Sequence, residues 1–133
     1  MATFHLQIVT PNRMFFNGEA EKLVVRTAEG DIGVLHGHTH MVAPLGIGPM
    51  EVYLPGEKPR LAAIANGFVK VGPESCTLVA ITCEWAEEID VDRAQRAKAA
   101  AEETLKAAQG EREQDVAELK LKRALNRISV SGR

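Results

Sequence analysis

The chain has 133 residues, of which 45% are hydrophobic and 5% aromatic, and its formal net charge is -2. This length and apolar content suffice for one compact domain, or for a small domain with an appendage, around a largely aliphatic core. The charge argues against a general nucleic-acid binder, no apolar run approaches the roughly 20 residues of a membrane span, and the N-terminal residues lack a signal-peptide core.

Proline and glycine divide the chain into two halves. All six prolines lie at or before Pro73, and nine of the eleven glycines lie at or before Gly72. Beyond residue 86 there is no proline, and the only glycines are Gly110 and Gly132. Because these residues mark turns, the distribution predicts a turn-rich β region followed by a helical region.

The first half contains several short strand patterns. Phe4, Leu6 and Ile8 alternate with polar residues, which predicts a half-buried strand. Further on, residues 22–27 read "KLVVRT", residues 29–33 read "EGDIG" as a turn into the next strand, and residues 50–54 read "MEVYL". Each β-branched or alternating segment is typical of a strand.

Asn66 and Gly67 separate two more such segments, "RLAAIA" and "FVKV". Asn-Gly between alternating hydrophobic runs predicts a β-hairpin turn at this point. Gly72-Pro73 then leads into "CTLVAIT". Many short strands at this spacing predict an antiparallel β-sandwich or flattened barrel.

The second half follows helical spacing. Asp90 is a good N-cap residue, and the small or apolar residues of the first helix are Ala94, Ala97, Ala101 and Leu105. After Gly110 the pattern resumes with Ala117, Leu121, Ala124 and Ile128. The two patterns predict an antiparallel helical hairpin. Because alanine removes little apolar area from water, we expect this hairpin to pack weakly and to move.

No catalytic motif is present. The sequence lacks Gly-x-Ser-x-Gly, His-Glu-x-x-His, a Walker-type glycine-rich loop and Cys-x-x-Cys. The chain is therefore expected to have no catalytic residues of its own. Cys76 and Cys83 do not form a close metal-type pair, and free thiols in a reducing cytoplasm are expected.

Three histidines, His36, His38 and His40, recur at every second residue. In an extended segment they would face the same way and could bind a metal ion, but no carboxylate or cysteine beside them completes a site. A polar loop explains the same pattern, and no metal is expected.

The second helix has an acid-free basic end. From residue 119 onward the charged residues are Lys120, Lys122, Arg123, Arg127 and Arg133. Lys120, Arg123 and Arg127 share one helical face. Cations suit a helix C-terminus in any case, but their number favours an anionic partner, either a nucleotide phosphate or an acidic protein surface.

The stretch "IDVDRA" at residues 89–94 has two interpretations. Asp90 and Arg93 are three residues apart and can pair across the first helical turn, which describes an ordinary capped helix start. Together with the basic face of the second helix, the same pair could form one side of a cleft for a nucleotide.

The whole chain resembles the epsilon subunit of bacterial F-type ATP synthases. The resemblance rests on the combination and order of "FHLQIVTP", "EGDIGVLHGH", "NGFVKV", "IDVDRA" and "LKRALNRISV". It implies a β + α chain, with an antiparallel β-sandwich over residues 1–86 and a regulatory two-helix hairpin over residues 88–133. This agrees with the patterns described above.

The resemblance also implies a role. Such a subunit is a non-catalytic part of the central stalk at the cytoplasmic face of the membrane, coupling rotation of the c-ring to ATP synthesis in a proton-translocating enzyme. Its sandwich would bind the gamma subunit and the ring of c subunits, with Glu29 and Asp31 at the ring contact. The alternative interpretation of Asp31 is an ordinary turn aspartate.

The family's hairpin either lies on the sandwich or extends toward the alpha and beta subunits and obstructs ATP hydrolysis. The resemblance assigns four residues to a contact with beta: Lys120, Lys122, Arg123 and Arg127. It assigns seven to a site for regulatory ATP: Glu84, Ile89, Asp90, Arg93, Ala94, Arg123 and Arg127. No cofactor is required.

One feature departs from the family's ATP-binding members. Some of them carry a further arginine in the first helix, where this chain has the alanine-rich "AKAAAEE". Two other functions remain open from the residues alone, a free-standing cytosolic ATP sensor and a ligand-free protein-interaction adaptor.

Overall fold

The computed structural model describes residues 2–132, so Met1 and the predicted basic residue Arg133 lie outside the described residues. The strands are β1 Phe4–Val9, β2 Met14–Ala20, β3 Lys22–Thr27, β4 Gly30–Val34, β5 Met41–Tyr53, β6 Arg60–Val71 and β7 Ser75–Trp85. A short 3-10 turn, Ala86–Glu88, leads to the helices α1 Val91–Ala107 and α2 Glu111–Ser131. The predicted β + α fold class is confirmed.

The seven strands form one hydrogen-bonded sheet in the order β2-β1-β7-β6-β5-β3-β4. Neighbours are antiparallel except β1 and β7, which pair in parallel. A single hydrophobic core contains Phe4 from β1 and Val34 from β4, near opposite ends of this order. The sheet therefore folds over on itself as a sandwich.

Alternation of side chains places the core as expected. In β1, Phe4, Leu6 and Ile8 are at most 1% exposed, and the residues between them face outward. This confirms the strand predicted from their spacing. The core is mainly aliphatic, with Trp85 at its edge stacked on Phe15 at 4.4 Å between ring centroids.

The predicted hairpin turn at Asn66-Gly67 is wrong, because both flanking segments belong to β6. Asn66 has φ 63° and Gly67 has φ 122°, yet pairing with β7 continues on both sides of them. The two residues therefore bend a single long strand. A Cβ at Gly67 would lie 1.8 Å from the Val79 carbonyl oxygen, so this bend requires glycine.

Strand β5 begins nine residues before the predicted "MEVYL" segment. Its first part, Met41–Pro49, includes the "APLGIGP" stretch, which contains residues that usually mark turns. Gly48 is required by packing: a Cβ there would lie 2.6 Å from the Cβ of Arg26 on β3. The glycine thus lets the Arg26 side chain cross the strand.

The two helices form the predicted hairpin. Asp90 caps α1, its Oδ1 accepting a hydrogen bond from the Arg93 backbone N–H at 3.0 Å, and Gly110 caps α2. The buried alanines of the hairpin, at most 3% exposed, are Ala94, Ala101, Ala117 and Ala124. Within residues 2–132, neither helix is long and apolar enough to cross a membrane.

The hairpin is joined to the sandwich through α2. This helix contacts β5, β6 and the 3-10 turn, and Asn126 Nδ2 donates to the Gly48 carbonyl oxygen at 2.9 Å. A small apolar cluster of Ala63, Ile89 and Val130 lies at the same junction, separate from the sandwich core. Helix α1 packs mainly on α2.

Candidate functional site

A cleft of about 530 Å³ lies between the sandwich and the hairpin. Strands β5, β6 and β7 contribute mostly small or apolar side chains, including Ile47 and Ala65. The charged residues at its wall are Glu84, Arg93, Lys120, Arg123 and Arg127. Four cations and one carboxylate give the cleft a net positive charge, which favours an anionic ligand.

Glu84 and Arg127 form the ion pair that closes one side of the cleft. Arg127 Nε donates to Glu84 Oε1 at 2.7 Å, and Arg127 Nη2 donates to Oε2 at 3.1 Å. The side chains are 21% and 34% exposed for Arg127 and Glu84 respectively. This two-bond geometry is the strong form of an arginine–carboxylate contact, and it links α2 to β7.

Arg123 lies one helical turn earlier and has an unsatisfied donor. Its Nε is buried and has no hydrogen-bond partner within residues 2–132. Leaving a buried donor unpaired destabilises the structure that holds it. A rotation of the Arg123 side chain toward an anion in the cleft would give this group a partner.

Arg93 reaches the cleft from the first turn of α1. The carboxylate of Asp90 accepts from the Arg93 backbone N–H and not from its guanidinium. Asp90 therefore acts as the helix cap that holds the start of α1 in place, and the Arg93 side chain is free of that carboxylate.

Three residues assigned to the site by resemblance do not line the cleft. Ile89 is 8% exposed and packs with Ala63 and Val130, Asp90 caps α1, and Ala94 is fully buried. In this arrangement they position the beginning of α1. Glu84, Arg93, Arg123 and Arg127, in contrast, come together at the cleft wall.

Lys120 shares one helical face with Arg123 and Arg127, but the resemblance assigned it to the contact with beta and not to the ATP site. The structure brings all three to the cleft wall, whereas Lys122 is exposed and does not line it. Thr82, Thr104 and Asn126 were also missed. Strand residues such as Thr82 could not be found from local spacing, because they approach the helices only in the tertiary structure.

The residues predicted for the ring contact lie where β3 turns into β4, with Glu29 in the turn and Asp31 at the start of β4. Both Glu29 and Asp31 are exposed, and Asp31 pairs with Arg26 across the two strands. The hydrogen bond to Asp31 raises the pKa of Arg26 above its usual value. A second cavity of about 350 Å³ is lined by both acids together with Met41 and Pro44.

The segment with His36, His38 and His40 forms a turn before β5. His38 Nδ1 lies 2.7 Å from the Thr39 carbonyl oxygen. Within residues 2–132, no group of three or more histidine, cysteine, aspartate or glutamate side chains is placed to hold a metal ion.

The cysteines lie in the interior of the sandwich. Cys76 and Cys83 are both free and buried, as the sequence predicted for the thiols. Burial raises the pKa of each thiol to about 12. Neither is therefore a ready nucleophile at neutral pH.

Two ion pairs fix the turn that leads into the hairpin. Glu87 accepts from Arg60 Nη2 at 2.9 Å, and Glu88 accepts from Arg13 Nη2 at 3.0 Å. Arg60 also lies over the Trp85 ring, 3.8 Å from its centroid. Glu87 and Glu88 are thus attached to the sandwich.

The fold and the site define the class of protein: a β-sandwich with an appended helical hairpin and a cationic cleft between them. The family model described as the ATP synthase delta/epsilon chain beta-sandwich domain matches residues 3–86. The model of the long alpha-helix domain of the same chain matches residues 87–132. The chain belongs to the ATP synthase delta/epsilon chain family.

Curated relatives carry the same family name along their whole length. An ATP synthase epsilon chain of Ruminococcus albus is 46% identical, covering 100% of this chain and 99% of the relative. One from Bacillus pumilus is 44% identical, with both chains covered completely. The resemblance inferred from the motifs is confirmed.

Solved structures agree in fold. A chain of the Euglena gracilis mitochondrial ATP synthase, in a structure of OSCP, F1 and c-ring, matches with a TM-score of 0.83 at 24% identity, covering 95% of this chain and 79% of that chain. A chain of the Tetrahymena thermophila mitochondrial enzyme matches with a TM-score of 0.73 at 10% identity, covering 98% and 97%.

Proposed function

We propose that this chain is the epsilon subunit in the central stalk of a proton-translocating F-type ATP synthase, non-catalytic itself and placed at the cytoplasmic face of the membrane. The observation that carries this proposal is the full-length match to relatives named ATP synthase epsilon chain, at 46% identity for the Ruminococcus albus protein. The role is to couple rotation of the c-ring to ATP synthesis and to regulate hydrolysis.

The sandwich offers two different surfaces for the stalk partners. The turn with Glu29 and Asp31 is exposed and polar, and is suited to the polar loops of the c subunits. Arg26 holds the Asp31 carboxylate in a fixed orientation across β3 and β4. This supports assigning the turn to the ring contact.

An apolar patch on the outer face of β5, β6 and β7 supports the contact with gamma. Val42, Phe68 and Ile81 are 67%, 46% and 57% exposed. Phe68 pairs with Pro44 on β5 and with Val79 on β7. Because Val42 and Ile81 lie two residues from these partners, Val42, Phe68 and Ile81 share a face. Exposed apolar patches of this kind usually mark protein interfaces.

The hairpin regulates hydrolysis by exchanging between two positions. In the folded position the Glu84–Arg127 and Asn126–Gly48 contacts hold α2 on the sandwich, and alanines form much of the helical interface. In the extended position Lys120, Lys122, Arg123 and Arg127 contact an acidic surface of beta, next to alpha. Because the alanines bury little apolar area, the free-energy difference between the folded and extended positions is modest.

ATP stabilises the folded position as a regulatory ligand. Arg93 and Arg123 supply forked, permanently charged donors for phosphate oxygens. The Arg123 Nε is buried and unpaired within residues 2–132, so a shift of this side chain toward a phosphate would give it a partner. Ile47 and Ala65, a cross-strand pair outside the sandwich core, provide apolar wall for the adenine ring. Four further residues complete the site by holding the cleft walls in position: Glu84, Ile89, Asp90 and Ala94.

Co-purification with gamma tests the assignment to the stalk. The epsilon subunit of a rotary enzyme forms a stable complex with gamma whether or not ATP is present. A chain that binds ATP but never joins gamma would support a free-standing sensor, and a chain that joins proteins but shows no ATP binding would support a ligand-free adaptor. Substituting Phe68→Ser should weaken the gamma complex, while the exposed control Val116→Ser on α2 should not.

A further inference from the structure

We infer that Lys120 is a phosphate-binding residue of the cleft, and that it selects nucleotides with a long phosphate chain. The inference rests on the proposed ATP site and adds a residue and a specificity to it. The resemblance assigns Lys120 only to the contact with beta, although Lys120 shares a helical face with Arg123 and Arg127. In the structure it lines the same cleft as Arg93, Arg123 and Arg127.

The position of Lys120 along α2 separates it from the other cations. It lies seven residues before Arg127, which corresponds to about 10 Å of helix at 1.5 Å per residue. Arg127 is already engaged by the Glu84 carboxylate through two hydrogen bonds. Among the α2 cations that line the cleft, the two without an ion pair within residues 2–132 are therefore Arg123 and, further from Glu84, Lys120.

The wall of α1 beside these cations is nearly free of charge. The residues that line the cleft there are Ala97, Ala100 and Ala101, all within the "AKAAAEE" segment. The alanines leave room for a ligand, and α1 supplies no cation in this part of the wall. Lys120 on the facing helix provides the positive charge in their place.

Ligand length then decides whether Lys120 is used. A nucleotide whose first phosphate binds Arg93 and Arg123 reaches a second cation further along α2 only by extending its phosphate chain. Lys120 is an exposed, flexible point charge that can follow the terminal phosphate. It should therefore contribute to binding of ATP, less to ADP, and little to AMP.

Lys122 gives a matched control. It is two residues away on the same helix and carries the same charge and side chain, but it is exposed outside the cleft. Lys120→Gln and Lys122→Gln change net charge equally, so any general electrostatic effect is common to both. A difference between them reports contact with the ligand.

The experiment is calorimetric titration of the full chain with ATP, ADP and AMP in the wild type and both variants. Lys120→Gln should weaken ATP binding about fivefold, the scale of one exposed charge-assisted contact, and leave AMP binding unchanged. Lys122→Gln should bind all three as the wild type does. Equal ATP affinity in the wild type and Lys120→Gln, or an equal loss in both variants, would overturn the inference. A wild type that binds no ATP would overturn the proposed ATP site itself.

Discussion

Arg127 on α2 holds Glu84 on β7 through two hydrogen bonds, Nε to Oε1 at 2.7 Å and Nη2 to Oε2 at 3.1 Å. The two residues are 43 positions apart in the chain, and their contact joins the hairpin to the sandwich. The Glu84 carboxylate binds the Arg127 guanidinium as a phosphate would. The sandwich therefore supplies an anion that favours the folded position of the hairpin without a ligand.

Replacing Glu84 by Gln should loosen the hairpin in the absence of ATP. Loss of the charge weakens a half-buried pair by about 1 kcal/mol, so amides of α2 should exchange hydrogen about fivefold faster. Hydrogen–deuterium exchange of the full chain measures this. The control is Glu87→Gln, which removes a pair with Arg60 that does not involve the hairpin helices. Unchanged exchange in α2 would show that the ion pair does not hold the hairpin.

The bend in β6 should depend on glycine at position 67. Gly67→Ala puts a Cβ 1.8 Å from the Val79 carbonyl oxygen at φ 122°, and should lower the free energy of unfolding by at least about 2 kcal/mol. Chemical denaturation measures the loss. Gly33→Ala, with no atom near the added Cβ, should stay within about 0.5 kcal/mol of the wild type. Equal stability of the two variants would contradict the assigned bend.

The strand pattern of the sandwich was predicted well where alternation continues through a strand. Phe4, Leu6 and Ile8 identified β1 because each second residue enters the core. The prediction was wrong at Asn66-Gly67, because local turn chemistry describes a bend as well as a hairpin, and only pairing with β5 and β7 distinguishes them. Likewise, Gly48 marks a close crossing by Arg26, which is 22 residues away.

The cleft was predicted in part. Spacing alone placed Lys120, Arg123 and Arg127 on one face of a helix, and resemblance pointed to Glu84 and Arg93. What could not be derived is which wall that face meets, since the sandwich residues that line the cleft are remote in sequence from α2. The roles of Glu87 and Glu88 were missed for the same reason, because their partners are remote in sequence: Arg60 begins β6, and Arg13 lies in the loop before β2.

The sandwich should fold without the hairpin. Its core consists of residues from β1 to β7, and the hairpin contributes to a separate small cluster at the junction. A chain ending at residue 86 should unfold cooperatively, less stable than the full chain by about 2 kcal/mol at most, and should still bind gamma. Thermal unfolding and co-purification test both statements. A truncated chain that unfolds without cooperativity would contradict this domain division.

The buried thiols should be protected until the protein unfolds. Burial raises the pKa of Cys76 and Cys83 to about 12 from an ordinary value of 9.0. The unfolded chain therefore ionises at lower pH than the folded one, and stability from these groups is present below about pH 9 and is lost as the pH rises toward about 12. A thiol reagent at pH 8 should label neither cysteine in the native protein and both in urea. Fast native labelling would contradict their burial.

The basic face of α2 should matter in the assembled enzyme. Replacing Lys120, Lys122, Arg123 and Arg127 together by Ala removes the charges proposed to hold the extended hairpin on beta, so ATP hydrolysis should rise several-fold at low ATP. The hydrolysis rate of reconstituted enzyme measures this. The control replaces Arg96 and Lys98 of α1, which do not line the cleft, by Ala. In an enzyme inhibited by this subunit, an unchanged rate would rule out the basic face as the inhibitory contact.

Hydrogen–deuterium exchange across α1 and α2 of the full chain, with and without ATP, tests the central claim most directly. At a free concentration ten times its dissociation constant, ATP contributes about 1.4 kcal/mol to the state that alone binds it, which corresponds to about tenfold slower exchange. We predict that slowing in both helices of the wild type, little change in the strands, and none in Arg93→Ala/Arg123→Ala. Exchange in the wild-type helices that is unaffected by millimolar ATP would contradict the proposal that ATP holds the hairpin on the sandwich.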